Sequence, residues 1–198
     1  MSIVTNFSDL DLTKQYTYAD YLRWQFSERV ELIKGFIVKM SPAPSKTHQV
    51  ISRKLTRHLD RYFENKPCGF FVAPFDVRLL NYKKNQKDNK IYTVVQPDLC
   101  VVCDLEKLDE KGCLGAPDLV IEILSPGNSK YELGEKFKLY EENQIKEYWI
   151  VEPFENTILI YTLQNDKYIG IKPCIEGEKI TSSLFPELDF EIEKIFEP

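Results

Sequence analysis

Residues Ala116–Pro126, APDLVIEILSP, decide how this sequence is read. Alternation along a strand puts Asp118, Val120, Glu122 and Leu124 on one face and Leu119, Ile121 and Ile123 on the other. A strand this apolar on both faces is a buried one. Glu122 is then a carboxylate where an unpaired charge is costly. A structural ion pair or hydrogen bond would meet that cost, and so would a metal ion bound for chemistry. The stretch alone leaves both readings open.

Working outward, Val94–Cys103 (VVQPDLCVVC) is a second apolar run with a single acid, Asp98, directly after Pro97. Two neighbouring buried strands with one carboxylate each can flank one Mg²⁺ ion, which favours one or two carboxylates, water and phosphate oxygens. Taken alone, Asp98 reads as a turn residue after proline. Asp118 reads either as a supporting acid or as the start of its strand. The segment Asp104–Gly115 reads as an acidic connecting loop.

The remaining chain supplies the frame. Thr17–Glu28 predicts a first helix capped by Thr17, and Val30–Met40 a hairpin turning at Lys34-Gly35. Ser45–Asn65 places Ile51, Leu55, Leu59 and Tyr62 at spacings of 4, 4 and 3, the stripe of an amphipathic helix. Further strands are expected at Phe70–Leu80, Ile91–Val102, Asp118–Leu124, Glu147–Val151, Thr157–Leu163 and Tyr168–Lys172. A polar insert, Asn81–Lys90, joins the first two of these. A second helix is expected over Ser129–Asn143, with Leu133, Phe137 and Tyr140 inward. This order predicts an α+β domain, mixed α/β, with a central mixed sheet flanked by helices.

Composition excludes several classes. The 198 residues suit a single domain over 1–198, and 43 % apolar with 29 % charged residues is globular rather than disordered or fibrous. No run approaches the ~20 apolar residues of a membrane span, and no signal peptide is visible. The five cysteines are read as reduced thiols of a cytoplasmic protein. Net charge is −5, yet Lys46–Lys90 holds 11 Lys and Arg against 4 Asp and Glu. That asymmetry permits nucleic-acid binding without requiring it. Cys100-x-x-Cys103 has no second such pair, and its odd spacing sends the thiols to opposite faces, so structural zinc is not expected. Phosphate-binding glycine loops, HExxH and GxSxG are absent, and no histidine follows His58, which removes a Ser–His triad with a later histidine.

PD followed by a strand glutamate and a helix resembles the PD-(D/E)XK nuclease superfamily, and the chain is similar to its Uma2 branch of restriction-type endonucleases. The resemblance covers about residues 16–196 and rests on RVELIKG (29–35), MSPAPSKTH (40–48), VVQPDLCVV (94–102), GAPDLVIEILSP (115–126), YELGEKFKLY (131–140), IKEYWIVEP (145–153) and SSLFPELDFEIEKIF (182–196). It implies a restriction-endonuclease-like fold with Asp98 and Glu122 as metal-binding acids. The superfamily lysine should stand two residues after the glutamate, where this chain has Leu124. The Uma2 pattern puts it on the following helix, at Lys136, four residues after Glu132, which replaces a more usual aspartate. Glu132 and Lys136 share a helical face and read equally as a surface ion pair. The family blocks also match Glu31 and His48.

These readings lead to an Mg²⁺-dependent (or Mn²⁺-dependent) endodeoxyribonuclease. Asp98 and Glu122 are assigned to the metal, with Glu31 or His48 contributing directly or through water. Lys136 is assigned either to orienting the attacking water or to stabilising the transition state as a fixed positive charge. Arg53, Lys54, Arg57 and Arg61 are assigned to DNA phosphates. The alternative is a catalytically inactive nuclease-like scaffold that binds nucleic acid or protein. The acidic, apolar tail Glu176–Pro198 is expected to pack on the domain or on a second copy, and a homodimer is expected because duplex DNA has two strands.

Overall fold

The computed structural model describes residues 3–40, 43–80, 90–125 and 132–197. The insert Asn81–Lys90, except for its last residue, lies outside these, as do the first residues of the second helix and the Glu132 side chain with its expected ion pair.

The class is mixed α+β, as expected, and its strands form two six-stranded sheets and a small two-stranded one in the tail (Lys179–Thr181 with Asp189–Glu191). The first is built from β1 (Val30–Ile33), β2 (Phe36–Lys39), β4 (Val77–Arg78), β5 (Val94–Val95), β7 (Leu108–Asp109) and β8 (Gly112–Leu114), in the order β2-β1-β5-β4-β8-β7. The second contains β3 (Gly69–Val72), β6 (Leu99–Val102), β9 (Leu119–Ile123), β10 (Glu147–Glu152), β11 (Thr157–Gln164) and β12 (Lys167–Gly170), in the order β12-β11-β10-β9-β6-β3.

Proline explains the division. The run expected as one strand at 70–80 is β3 and β4, split at Pro74, and the run at 91–102 is β5 and β6, split at Pro97. Pro117 stands between β8 and β9, so three of the crossings between these sheets contain a residue with no ladder donor, while β6 passes to β7 without one. Asp104–Gly115 is therefore not a plain loop, because it carries β7 and β8. The hairpin forms as read, with Lys34 and Gly35 at φ 50° and 91° in its turn.

The first helix is shorter than its pattern suggested. Helix α1 is Tyr18–Tyr21, held by a capping box in which the Thr17 N–H donates to Asp20 Oδ2 at 2.9 Å. Beyond it, Trp24 pairs with Val4 and packs against Tyr16, Tyr21 and Phe26, so tertiary aromatic contacts override local helix propensity. Helix α2 (Lys46–Phe63) is capped by Ser45 and buries Ile51, Leu55, Leu59 and Phe63. These meet Leu119, Ile121 and Ile123 on one face of the second sheet. The tail packs there as well, through Ile180, Leu188, Phe190, Ile192 and Ile195. The other face meets the first sheet and α3 (Phe137–Glu142), where Tyr140 is buried among Val120, Tyr148 and Ile150. A five-residue π-helical turn, Glu132–Lys136, precedes α3 and shifts the helical phase. Leu133, expected inward, is consequently exposed.

Two cysteines depart from the all-reduced reading. Cys68 and Cys103 form a disulfide. The β3–β6 register explains the pairing: Gly69 faces Val102, so the next step outward sets Cys68 beside Cys103. Cys100, Cys113 and Cys174 are free and buried. The bond closes a loop of 35 residues, for which chain entropy gives a stabilisation of about 3–4 kcal/mol. Cys68→Ser should therefore lower the urea midpoint in non-reducing buffer and change nothing once dithiothreitol is present. Equal midpoints in non-reducing buffer would count against the bond.

Candidate active site

The acids converge where the chain passes from one sheet to the other. In the β6–β9 pair Leu99 faces Ile121, and the next step brings Asp98 against Glu122. The Ile123 N–H donates to Asp98 Oδ2 at 2.8 Å, which fixes that carboxylate at the strand end. His48, in the first turn of α2, places Nε2 3.1 Å from the same oxygen.

Glu122 meets the helical segment after β9. Lys136 Nζ lies 2.8 Å from Glu122 Oε1 and 3.1 Å from Glu31 Oε1. All three side chains are at least 96 % buried, so two carboxylates share one ammonium away from water. Tyr140 donates its phenolic hydrogen to Glu122 Oε1 at 2.5 Å. Glu31 comes from β1 of the first sheet, and its Oε1 also accepts the Gln96 N–H at 2.9 Å. An open cavity of about 750 Å³ is lined by Glu31, His48, Asp98, Glu122 and Lys136, with Arg29, Lys39, Gln49, Ser52 and Gln96 around them.

The electrostatics follow from this crowding. Burial pushes the Glu122 carboxyl up to about 7; Lys136 opposes the rise, and the charges of Asp98 and Glu31 add to it. Burial works against the charged form of His48, but the Asp98 bond and the Asp98 and Glu122 charges outweigh it and raise its pKa. Burial and the facing carboxylates likewise raise the Tyr140 pKa, which keeps the phenol a donor.

The five residues expected at the site are thus brought together. Asp118 is not with them. It holds the start of β9 by accepting the Cys103 N–H at 2.7 Å and the Lys146 ammonium at 2.6 Å. Arg53 and Arg57 follow Gln49 at four-residue steps along α2 and are exposed, as is Arg61 one step further. Lys54 instead donates to the Glu197 carbonyl and is engaged with the tail.

Arg29, Gln96 and Tyr140 were not singled out as site residues. Tyr140 was detectable, because it lies four residues after Lys136 and so shares its helical face. Arg29 and Gln96 are 67 positions apart and join only through β1–β5 pairing.

Comparison with known proteins agrees with this fold. A crystal structure from Anabaena variabilis, described as a putative nuclease belonging to DUF820, superposes with a TM-score of 0.71 at 20 % identity, covering 91 % of this chain and 97 % of that one. Uncharacterized protein slr1290 of Synechocystis sp. is 29 % identical over 150 residues, 74 % of each chain. Residues 18–193 match the family described as Uma2, "Putative restriction endonuclease". The fold, the convergence of its acids and this match over most of its length lead to one assignment: the chain belongs to the Uma2 family.

Proposed function

We propose that this protein is a divalent-metal-dependent endonuclease that hydrolyses DNA phosphodiester bonds. The observation that supports it most is the gathering of three carboxylates from separate strands and strand ends in one cavity. Glu31, Asp98 and Glu122 line it together, and Glu31 and Glu122 share the buried Lys136 ammonium. Carboxylate oxygens suit a hard cation such as Mg²⁺ or Mn²⁺. Among the described residues no three His, Cys, Asp or Glu side chains form a ready-made ion cage. A site of two carboxylates completed by water and phosphate fits that description, with Asp98 and Glu122 as the holders. When bound, the ion would lower the pKa of a coordinated water and offset charge on the attacked phosphate.

The chain's own groups do the rest. Lys136 keeps a fixed positive charge beside Glu122, ready to stabilise charge that develops on the phosphorane oxygens. Glu31 and Tyr140 hold that ammonium and carboxylate in place. His48 orients Asp98 from α2. Arg53, Arg57 and Arg61 lead away from the cavity mouth along α2, where they contact phosphates without reading sequence. Cutting both strands of a duplex calls for two such sites, so a two-fold dimer is part of the proposal, to be checked by light scattering.

The test is supercoiled plasmid incubated with the purified protein in Mg²⁺, Mn²⁺ or EDTA. Nicked and linear DNA should appear only with metal and disappear for Asp98→Asn, and metal should raise the melting temperature of the wild type. Intact plasmid under all conditions, with no thermal shift by metal, would decide for the non-catalytic scaffold.

A further inference from the structure

Arg29 is a cation in an acidic cavity that pairs with no carboxylate among the described residues. It stands half-buried just before β1 and lines the same cavity as Glu31, Asp98 and Glu122. Its Nη2 donates instead to a neutral acceptor, Gln96 Oε1, at 3.0 Å. An arginine next to three acids would ordinarily collapse onto one of them, since a charge-assisted pair is the stronger bond. The acids it would meet are already engaged in part. Glu31 Oε1 is already occupied by the Gln96 N–H and the Lys136 ammonium. Asp98 Oδ2 is occupied by the Ile123 N–H and His48.

Gln96 is itself locked in orientation. Its Nε2 donates to Asp76 Oδ1 at 2.9 Å and lies 3.3 Å from the Tyr21 hydroxyl, which in turn reaches Asp76 Oδ1 at 3.4 Å. With the amide nitrogen held by Asp76, the amide oxygen must face Arg29. The guanidinium is therefore positioned by a neutral group and keeps its full charge. It also keeps most of its five N–H donors, in a planar fork that matches two phosphate oxygens.

We propose that Arg29 binds the non-bridging oxygens of the scissile phosphodiester opposite Asp98 and Glu122, and that Gln96 is the residue that positions it. This rests on the nuclease reading and names the group that receives the substrate's charge. The phosphate supplies the anion that no carboxylate among the described residues supplies to this arginine. An amide at position 96 is required, because a carboxylate there would neutralise the arginine before substrate arrived.

The experiment has two arms, plasmid cleavage in Mg²⁺ and binding of a fluorescent duplex oligonucleotide in Ca²⁺ across a salt series. Arg29→Met should lower kcat about 100-fold. It should also flatten the plot of log affinity against log salt by about one phosphate contact. Arg29→Lys, which keeps the charge without the fork, should restore the salt slope and recover only part of kcat. Gln96→Glu should resemble Arg29→Met in both arms while leaving Arg29 in place. A salt slope and kcat within threefold of wild type for Arg29→Met would overturn the inference. Should wild type bind the oligonucleotide but cleave nothing, the nuclease reading fails and the binding arm alone decides: a flattened slope for Arg29→Met upholds the phosphate contact, and an unchanged one removes it. Absence of any binding by wild type overturns it as well.

Discussion

Replacing Lys136 with methionine is expected to lower folding stability by about 3–5 kcal/mol and to lower cleavage by a factor of about 10²–10³. Methionine follows the course of the lysine stem, so little packing is lost and the effect is one of charge. Without the ammonium, Glu31 and Glu122 face each other almost fully buried, with no cation between them. One of them must take up a proton or drag water inward, and either costs several kcal/mol. Urea unfolding followed by the fluorescence of Trp24 and Trp149, together with plasmid cleavage at fixed Mg²⁺, measures both effects. A loss of stability under about 1 kcal/mol would mean that the two carboxylates are neutralised by something other than Lys136.

Glu122→Gln should also abolish metal-dependent cleavage, but with the opposite effect on stability. Lys136 is not stranded by this change, because Glu31 still holds it at 3.1 Å. The amide oxygen of glutamine can still accept the Tyr140 hydroxyl. What disappears is a carboxylate whose pKa is raised to about 7 in the folded protein, chiefly by burial. A carboxyl raised above its ordinary value makes the folded state lose stability as pH climbs from about 4.5 to about 7. The glutamine variant lacks that loss. It should match the wild type near pH 4 and exceed it by roughly 1–3 kcal/mol at pH 8, in buffer containing a chelator. Chemical unfolding at the two pH values gives the comparison. A variant less stable than wild type at pH 8 would identify Glu122 as half of a structural pair rather than a residue held charged for a cation.

Much of this was legible in the chain because it depends on local period. The spacing of Ile51, Leu55 and Leu59 specified α2 and its buried face, and Lys34-Gly35 specified the hairpin turn. Asp98 and Glu122 stood out as single acids in apolar strands. The two-sheet division was not legible, although Pro74, Pro97 and Pro117 were in plain view. Alternation shows which side of a strand a residue faces and says nothing of which sheet the strand joins. The Cys68–Cys103 bond requires knowing that β3 pairs with β6, a contact across 35 residues. Spacing alone made Lys136 an ordinary surface ion-pair partner. The family resemblance put it at the site, and the π-helical turn that delivers it leaves no mark in hydrophobic period.

The crossing at Gln96-Pro97-Asp98 has a mechanical consequence. Glu31 belongs to one sheet and Glu122 to the other, and the Lys136 ammonium is the rivet through both plates. Slippage of the plates by an ångström or two would pull that rivet from one acid while every strand kept its own hydrogen bonds. Inactivation by mild denaturant should therefore precede loss of secondary structure. Substitutions far out on either plate can disable the site without touching the cavity, simply by shifting one sheet against the other.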